Sequence, residues 1–230
     1  MAMKRILAAR NIMLDTIFPP RCAGCRRRGT WVCEDCDNRL MRWGPTRCDR
    51  CGIPSDIADC RCADFPEDIT AHRSVAAYRG WLRSAIIAFK YGEERARAAH
   101  LGTELAALVA DIGKIDGLVP VPLHPKRQRE RGFNQAELLA RRVQSLTGIP
   151  LRDELIRTKS GPHQVGLGAA DRAANVQDAF AMRLDANVSG LRLALVDDVC
   201  TTGATLGACA MVLIRHGARE VVSLTLAREV

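Results

Sequence analysis

Aromatic residues are scarce: Phe, Trp and Tyr together make up 4% of the chain. That argues against a nucleic-acid groove built on stacked rings, which needs a ring for each base it holds. Long apolar runs are missing too. No stretch reaches the ~20 apolar residues of a membrane span, although 47% of the residues are hydrophobic. The opening MAMKRILAARNIMLD carries Lys4, Arg5, Arg10 and Asp15, and Arg10 breaks its apolar stretch. A secretory signal is therefore not expected, and the chain is placed in the cytoplasm. At 230 residues it is long enough for one full α/β core plus a small module.

Cysteine is abundant but unevenly spread: eight of the ten fall between Cys22 and Cys62. They read Cys22-x2-Cys25-x7-Cys33-x2-Cys36, then Cys48-x2-Cys51-x8-Cys60-x-Cys62. Each close pair can turn two sulfurs toward one ion, and two pairs complete a tetrahedral four-cysteine zinc site. With every position filled by sulfur, such zincs are structural and closed. The last pair departs from the usual two-residue gap, which sets the second site apart from the first. Sequential and interleaved pairings both fit the spacing, and a redox pair or an iron–sulfur cluster is the competing reading. Disulfides are disfavoured in a reducing cytoplasm. The formal net charge is +8, and two four-thiolate zinc sites, each carrying −2, would lower it to +4. Generic attraction to nucleic acid is then weaker than composition implies.

Along the chain, residues 3–17 predict a short amphipathic helix that Pro19-Pro20 ends. Residues 63–74, ADFPEDITAHRS, read as a linker, and Val75–Tyr78 as a short strand. Trp81, Leu82, Ala85, Ile86 and Phe89 recur at helical spacing, and a second amphipathic helix is expected from about Glu93 to Val109. Lys90 between them reads as a solvated lysine. Leu118–Leu123 is a strand with prolines at its exit. The following KRQRER is either a solvated basic loop or a site for anionic phosphates at the carboxyl end of a strand. Asn134 is positioned to cap a helix Gln135–Leu146 that Gly148 stops.

The stretch around which the rest is organised is Leu193–Leu206, LALVDDVCTTGATL. Leu193–Val196 suits a strand buried on both faces. Asp197 and Asp198 follow where it leaves the sheet, with Cys200 as a small side chain in the turn after them. Then come Thr201, Thr202, Gly203, Ala204 and Thr205, and a helical pattern runs from about Gly203 to His216, with Cys209 in its core face. A turn feeding a helix N-terminus offers unpaired N–H groups and the positive end of the dipole, which suits a phosphate. Carboxylates suit ribose hydroxyls, and can also hold a magnesium.

This stretch resembles the phosphoribosyl pyrophosphate (PRPP) signature of type I phosphoribosyltransferases: four apolar residues, two acids, two variable positions, then Thr-Thr-Gly-x-Thr. The resemblance implies that Asp197 and Asp198 hold the ribose 2′- and 3′-hydroxyls and that Thr201–Thr205 cradles the 5-phosphate. Hypoxanthine-guanine members commonly carry a third acid before the Thr-Gly, as general base on the purine. Thr201 stands there and cannot take a proton at neutral pH, so salvage of 6-oxopurines is disfavoured.

Three separated motifs extend the likeness. The N-terminal cysteine pairs, then VPVPLHPKRQRERGFNQ, then VDDVCTTGAT resemble the ComF family of competence-associated phosphoribosyltransferase-like proteins. The stretch Arg157 to Asn175, with Gln164, Leu167 and Arg172, fits as well. The resemblance implies a type I phosphoribosyltransferase fold with a mostly parallel sheet over 71–230, behind an N-terminal helix and double zinc ribbon over 1–70. It implies that Pro122, Leu123, Arg127 and Arg131 serve the pyrophosphate side, and that 157–175 stands where a mobile loop closes. Three glycines and a proline in RTKSGPHQVGLGAADR fit such a loop. Lys159, Arg172 and His163 would face departing pyrophosphate, with Lys159 and Arg172 as the catalytic candidates. Implied ligands are PRPP with magnesium, and two structural zincs. Implied partners are single-stranded DNA and a DNA-uptake helicase, which would bring the protein to the membrane. A non-catalytic adaptor, a nucleic-acid-binding protein on the same scaffold, and a nucleotide-salvage phosphoribosyltransferase are the alternatives.

Overall fold

The computed structural model of the protein describes residues 19–60, 62–91, 95–158 and 179–230. In chain order the elements are a short helix α1 (Glu34–Asp37), β1 (Ala71–Ala77), α2 (Gly80–Tyr91), α3 (Arg97–Ala107) with a 3-10 turn (Leu108–Ile112), β2 (Gly117–Pro120), α4 (Pro125–Arg131), α5 (Gln135–Thr147), β3 (Leu155–Arg157), β4 (Phe180–Met182), β5 (Arg192–Cys200), α6 (Ala204–Arg215) and β6 (Glu220–Arg228). The expected helix at 3–17 lies outside the described residues.

Four strands form a parallel sheet in the order β1-β6-β5-β2. The two central strands are the two longest apolar segments, as strands covered on both faces require. Their alternation divides the core. Ala194 and Val196 pack with Leu82, Ile86 and Phe89 of α2, Leu105 of α3 and Leu139 of α5. Leu193 and Leu195 point the other way, into a second cluster with Leu206, Cys209 and Leu213 of α6. Helices therefore cover both faces of a parallel sheet, the doubly wound α/β arrangement. A separate antiparallel ribbon, β3 with β4, stands at the two ends of residues 159–178.

The cysteine-rich segment closes the free edge of β1. Trp43 N–H donates to Val75 O at 2.8 Å, and His72 N–H donates to Arg50 O at 2.8 Å. An exposed strand edge is thereby covered. The segment also wraps that edge: Cys22, Cys33 and Cys36 join the core on the α2 face, whereas Cys51 and Ile53 join the core on the α6 face.

Several expectations hold in outline and shift in detail. Asn134 Oδ1 accepts from Ala136 N–H and Gly148 ends α5 with φ 76°. β2 stops at Pro120, the first residue that cannot donate to the ladder. Residues 63–74 are not a linker: Phe65 and Ile69 are buried in the second core and Ala71–Ser74 belong to β1. Two large apolar side chains anchor a stretch whose other residues are small or polar. KRQRER is not a loop but most of α4, bracketed by Pro125 at its first turn and by Gly132, at φ 72°, at its end. Cys200 ends β5 and is buried, rather than lying in the turn, while Cys209 is core.

Candidate functional site

The carboxyl ends of β2 and β5 open on a cleft of about 370 Å³. Open α/β sheets bind ligands at this end of their strands. One wall is the exit of β5: Asp197, Asp198, Thr201 and Thr205 line it. Gly203 takes φ 85°, a conformation open to glycine, and starts α6. Thr202 Oγ1 accepts from Ala204 N–H at 3.3 Å, which fixes the turn. The N–H groups of the first helical turn have no partner within the helix, and they lie where an anion at Thr201–Thr205 would be met.

The opposite wall carries Pro122, Leu123, Arg127 and Arg131. Arg127 and Arg131 lie four apart on α4 and are half-buried, whereas Lys126 and Arg129 face outward and are exposed. Helix formation thus sorts the basic run into an inner pair and an outer pair. Asn134 ties this wall to the sheet, its Nδ2 donating to Val121 O at 3.1 Å. The Arg131 guanidinium donates to Gln135 Oε1 at 3.1 Å and lies 5.0 Å from the centre of the Tyr91 ring.

The acid pair is electrostatically uneven. Asp198 N–H donates to Asp197 Oδ1 at 2.8 Å. Burial and the neighbouring Asp198 carboxylate push Asp197 up to about 7, against the opposing pull of Lys90, its own hydrogen bond and Arg157. Lys90 Nζ lies 2.8 Å from Asp198 Oδ1. Burial draws the Lys90 ammonium down, and the Asp198 carboxylate more than reverses this, so lysine is held above its ordinary value. The expectation of a solvated Lys90 is therefore overturned.

The structure brings Asp197, Asp198, Thr201, Thr205, Pro122, Leu123, Arg127 and Arg131 around one cleft, with Thr202, Gly203 and Ala204 shaping the turn behind it. Lys159, His163 and Arg172 lie outside the described residues. Sequence reasoning missed Lys90, Tyr78, Gln135 and Glu229, all on the cleft wall. A signal for Lys90 was present: it continues the stripe Leu82, Ile86 at four-residue steps, so it leaves the helix on the buried face.

The cysteines resolve into two groups, sequential rather than interleaved. Cys22, Cys25, Cys33 and Cys36 have their sulfurs within 4.8 Å of one another, and so do Cys48, Cys51, Cys60 and Cys62. The Cys-x-Cys pair therefore completes the second group despite its short gap. Both donor sets fit zinc. Burial pushes the Cys22 thiol up, but the N–H groups of Cys25, Cys33 and Gly24 outweigh it and hold the thiol down at about 6. Cys48 is likewise held at about 6 by the amides of its own knuckle and by its cysteine neighbours. Buried arginines brace the backbone around each group: Arg97 donates to Arg21 O and Trp31 O, Arg73 to Asp49 O and Arg228 to Cys51 O. Cations so placed suit the negative charge of a four-thiolate site.

Fold and site together define a doubly wound α/β protein with a cleft at the carboxyl ends of its strands, fronted by two four-cysteine zinc-binding sites. Residues 13–66 match the family model of the double zinc ribbon domain. The chain is 33% identical over 217 residues to the DNA utilization protein YhgH of Escherichia coli K12, spanning 88% of this chain and 94% of that protein. It is 36% identical over 135 residues to Competence protein F of Haemophilus influenzae, covering 58% and 59% of the two chains. Competence protein ComFC of Bacillus subtilis is 28% identical over 208 residues, 86% and 84% of the two. The chain belongs to the ComF family. Among solved structures it has a loose likeness to glutamine PRPP amidotransferase from B. subtilis, with 22% identity, TM-score 0.42, and coverage of 60% of this chain and 30% of that one. A purine phosphoribosyltransferase from Pyrococcus horikoshii gives 17% identity, TM-score 0.35, and 54% and 68% coverage.

Proposed function

We propose that the cleft binds PRPP with magnesium and that the protein acts as a phosphoribosyltransferase-like component of DNA uptake or use. The observation that carries this reading is the joining of three parts in one cleft. The Asp197–Asp198 pair, the Thr201–Thr205 turn at the head of α6 and the Arg127–Arg131 pair face one another across it. The carboxylates would accept from the ribose 2′- and 3′-hydroxyls. The turn would donate to the 5-phosphate, and the two arginines would meet the pyrophosphate. When bound, magnesium supplies neutralising charge to the pyrophosphate. Should turnover occur, charge develops as the anomeric carbon loses pyrophosphate, and Arg127, Arg131, Lys159 and Arg172 are the cations to stabilise it.

Calorimetric titration of zinc-replete protein with PRPP, with and without magnesium, tests the reading. Saturable magnesium-dependent binding is expected, and Asp197→Ala with Asp198→Ala should abolish it in a chain that still folds. A double variant that binds like the unaltered chain would remove the site assignment.

The names of the relatives favour a role with DNA, and a second observation fits direct contact. Arg26, Arg27 and Arg28 project as an exposed cluster from the first cysteine group, and Lys126 and Arg129 are exposed on α4. Binding to single strands through these groups should weaken steeply with salt. Absent or salt-insensitive binding would leave a protein partner, such as a helicase, as the route to DNA. No helix among the described residues is long and apolar enough to cross a membrane. We place the protein in the cytoplasm, reaching the membrane through partners.

A further inference from the structure

Helix α2 is anchored by an apolar face. Trp81, Leu82, Ala85, Ile86 and Phe89 are all buried. Its last turn nonetheless sends one ammonium across to β5, where Lys90 Nζ meets Asp198 Oδ1 at 2.8 Å. The Lys90 side chain is 21% exposed and that of Asp198 9%. A pair this enclosed is a weak means of stabilising a fold, because desolvation offsets much of the attraction and apolar packing does as well. The C-terminal end of a helix favours a cation, which explains why Lys90 tolerates the position but not why it points at the acid pair.

The acid pair itself supplies the reason. Two adjacent carboxylates in a half-closed cleft form a hard oxygen site, and hard oxygen sites attract divalent cations. A free ion settled there would occupy the oxygens that a ribose needs as acceptors. With Lys90 in contact the three groups together carry −1 rather than −2 when both acids are ionised. We propose that Lys90 is the resident counter-cation of the acid pair: it holds Asp198 in position for a ribose hydroxyl and keeps free divalent cations off the carboxylates. Divalent metal then enters the cleft with the pyrophosphate and not ahead of it. The positioning part of this inference rests on the PRPP reading; the exclusion of free cations does not.

Manganese binding to the zinc-replete full chain, measured by the loss of the free-ion paramagnetic signal with no PRPP present, separates the two. Thiolate zinc sites hold zinc against manganese, so the probe reports on oxygen sites. The unaltered protein and Lys90→Arg should show only weak binding. Lys90→Met and Lys90→Gln should each gain one manganese site at least roughly tenfold tighter, the scale on which an adjacent opposite charge acts. Adding Asp198→Asn to Lys90→Met should remove that site again. In PRPP titrations with magnesium, Lys90→Met should weaken binding roughly tenfold while Lys90→Arg stays close to the unaltered protein. Folded Met and Gln variants that bind manganese no better than the unaltered chain overturn the proposal. Loss of fold in both overturns it as well, since the pair would then be structural. Failure of the unaltered protein to bind PRPP sinks the substrate reading alone, because the manganese comparison still decides the role of Lys90 in excluding cations.

Discussion

Gly203, in the middle of the candidate phosphate turn and at the head of α6, rests against Phe65, in the segment that leaves the second zinc site. A Cβ placed on Gly203 would come within 3.0 Å of Phe65 Cε2 and 3.0 Å of Pro66 Cδ. Gly207, one turn further along α6, has Pro66 within 2.7 Å of the same imagined atom. The zinc segment is thus the floor under the turn.

Gly203→Ala should accordingly lose on two counts. Its φ of 85° disfavours any Cβ, at roughly 1–2 kcal/mol, and the new methyl crowds the Phe65 ring and Pro66, which must yield slightly to admit it. We expect a lower Tm and PRPP affinity reduced beyond tenfold, about the effect of 1.4 kcal/mol. Gly44→Ala is the control: nothing lies within 4 Å of its added Cβ and its φ is ordinary, so neither quantity should move.

Metal removal should reach the cleft through the same contact. Each four-cysteine site contributes on the order of 10–16 kcal/mol of apparent folding free energy when zinc binds, so a chelator should unfold the N-terminal segment. The sites should differ in what else they disturb. Cys62→Ser releases the segment leading to Phe65 and Pro66, and should lower PRPP affinity as zinc stoichiometry falls. Cys25→Ser acts on the α2 face of the sheet and should lower Tm with a smaller effect on PRPP. Metal analysis and calorimetry on the two variants check the order. Equal effects on PRPP would mean that the contact at Phe65 transmits nothing.

The acid pair gives a pH dependence with opposite signs for folding and binding. Asp197 is raised to about 7, so the folded chain prefers it protonated. Its contribution to stability is full below the ordinary carboxylate range and is lost as pH rises through about 7. Ribose recognition needs the ionised acceptor, so PRPP affinity should rise over that same interval. The 5-phosphate also titrates, near pH 6. Asp197→Asn separates the two: the protein's step should vanish and the ligand's remain. A wild-type profile that matches the Asn variant would place the titrating group elsewhere.

Much of this site was legible because its signals are local. Leu193–Val196, the acid pair and the Thr-Thr-Gly turn follow one another within a single strand–turn–helix unit, and that unit is present as β5 and α6. The cysteine pairs were legible for the same reason, but their spacing left sequential and interleaved grouping open, and only the packing of the segment shows the sequential one. The rest depends on how distant segments pack. Lys90 lies more than one hundred residues from Asp198, and only the stacking of α2 on the sheet brings them to 2.8 Å. Phe65 reads as linker because composition weighs the polar residues around it, whereas burial is decided by the space beneath α6. Charge alone does not sort the basic run of α4; the family resemblance picks out Arg127 and Arg131, and helical geometry supplies the physical reason, turning them inward and Lys126 and Arg129 outward.

That separation distinguishes the two functional readings by substitution. Arg127 lines the cleft, and Arg127→Ala should weaken PRPP binding about tenfold, the worth of one charge-assisted hydrogen bond of roughly 1.5–3 kcal/mol at its lower end. Lys126 and Arg129 face solvent on the same short helix, so their removal should leave PRPP affinity unchanged. If α4 also meets single-stranded DNA, Lys126→Ala with Arg129→Ala should lower affinity at all sequences alike. It should also flatten the dependence of log K on log salt by about 0.7 for each phosphate no longer neutralised. Parallel calorimetry with PRPP and salt-dependent titrations with an unstructured oligonucleotide give both numbers. A double variant with unaltered salt slope would take α4 out of DNA binding and leave Arg26–Arg28 as the exposed basic cluster to substitute next. Loss of PRPP binding in that variant would instead show that the outer cations act on the cleft at a distance, and the division of the helix into two faces would fail.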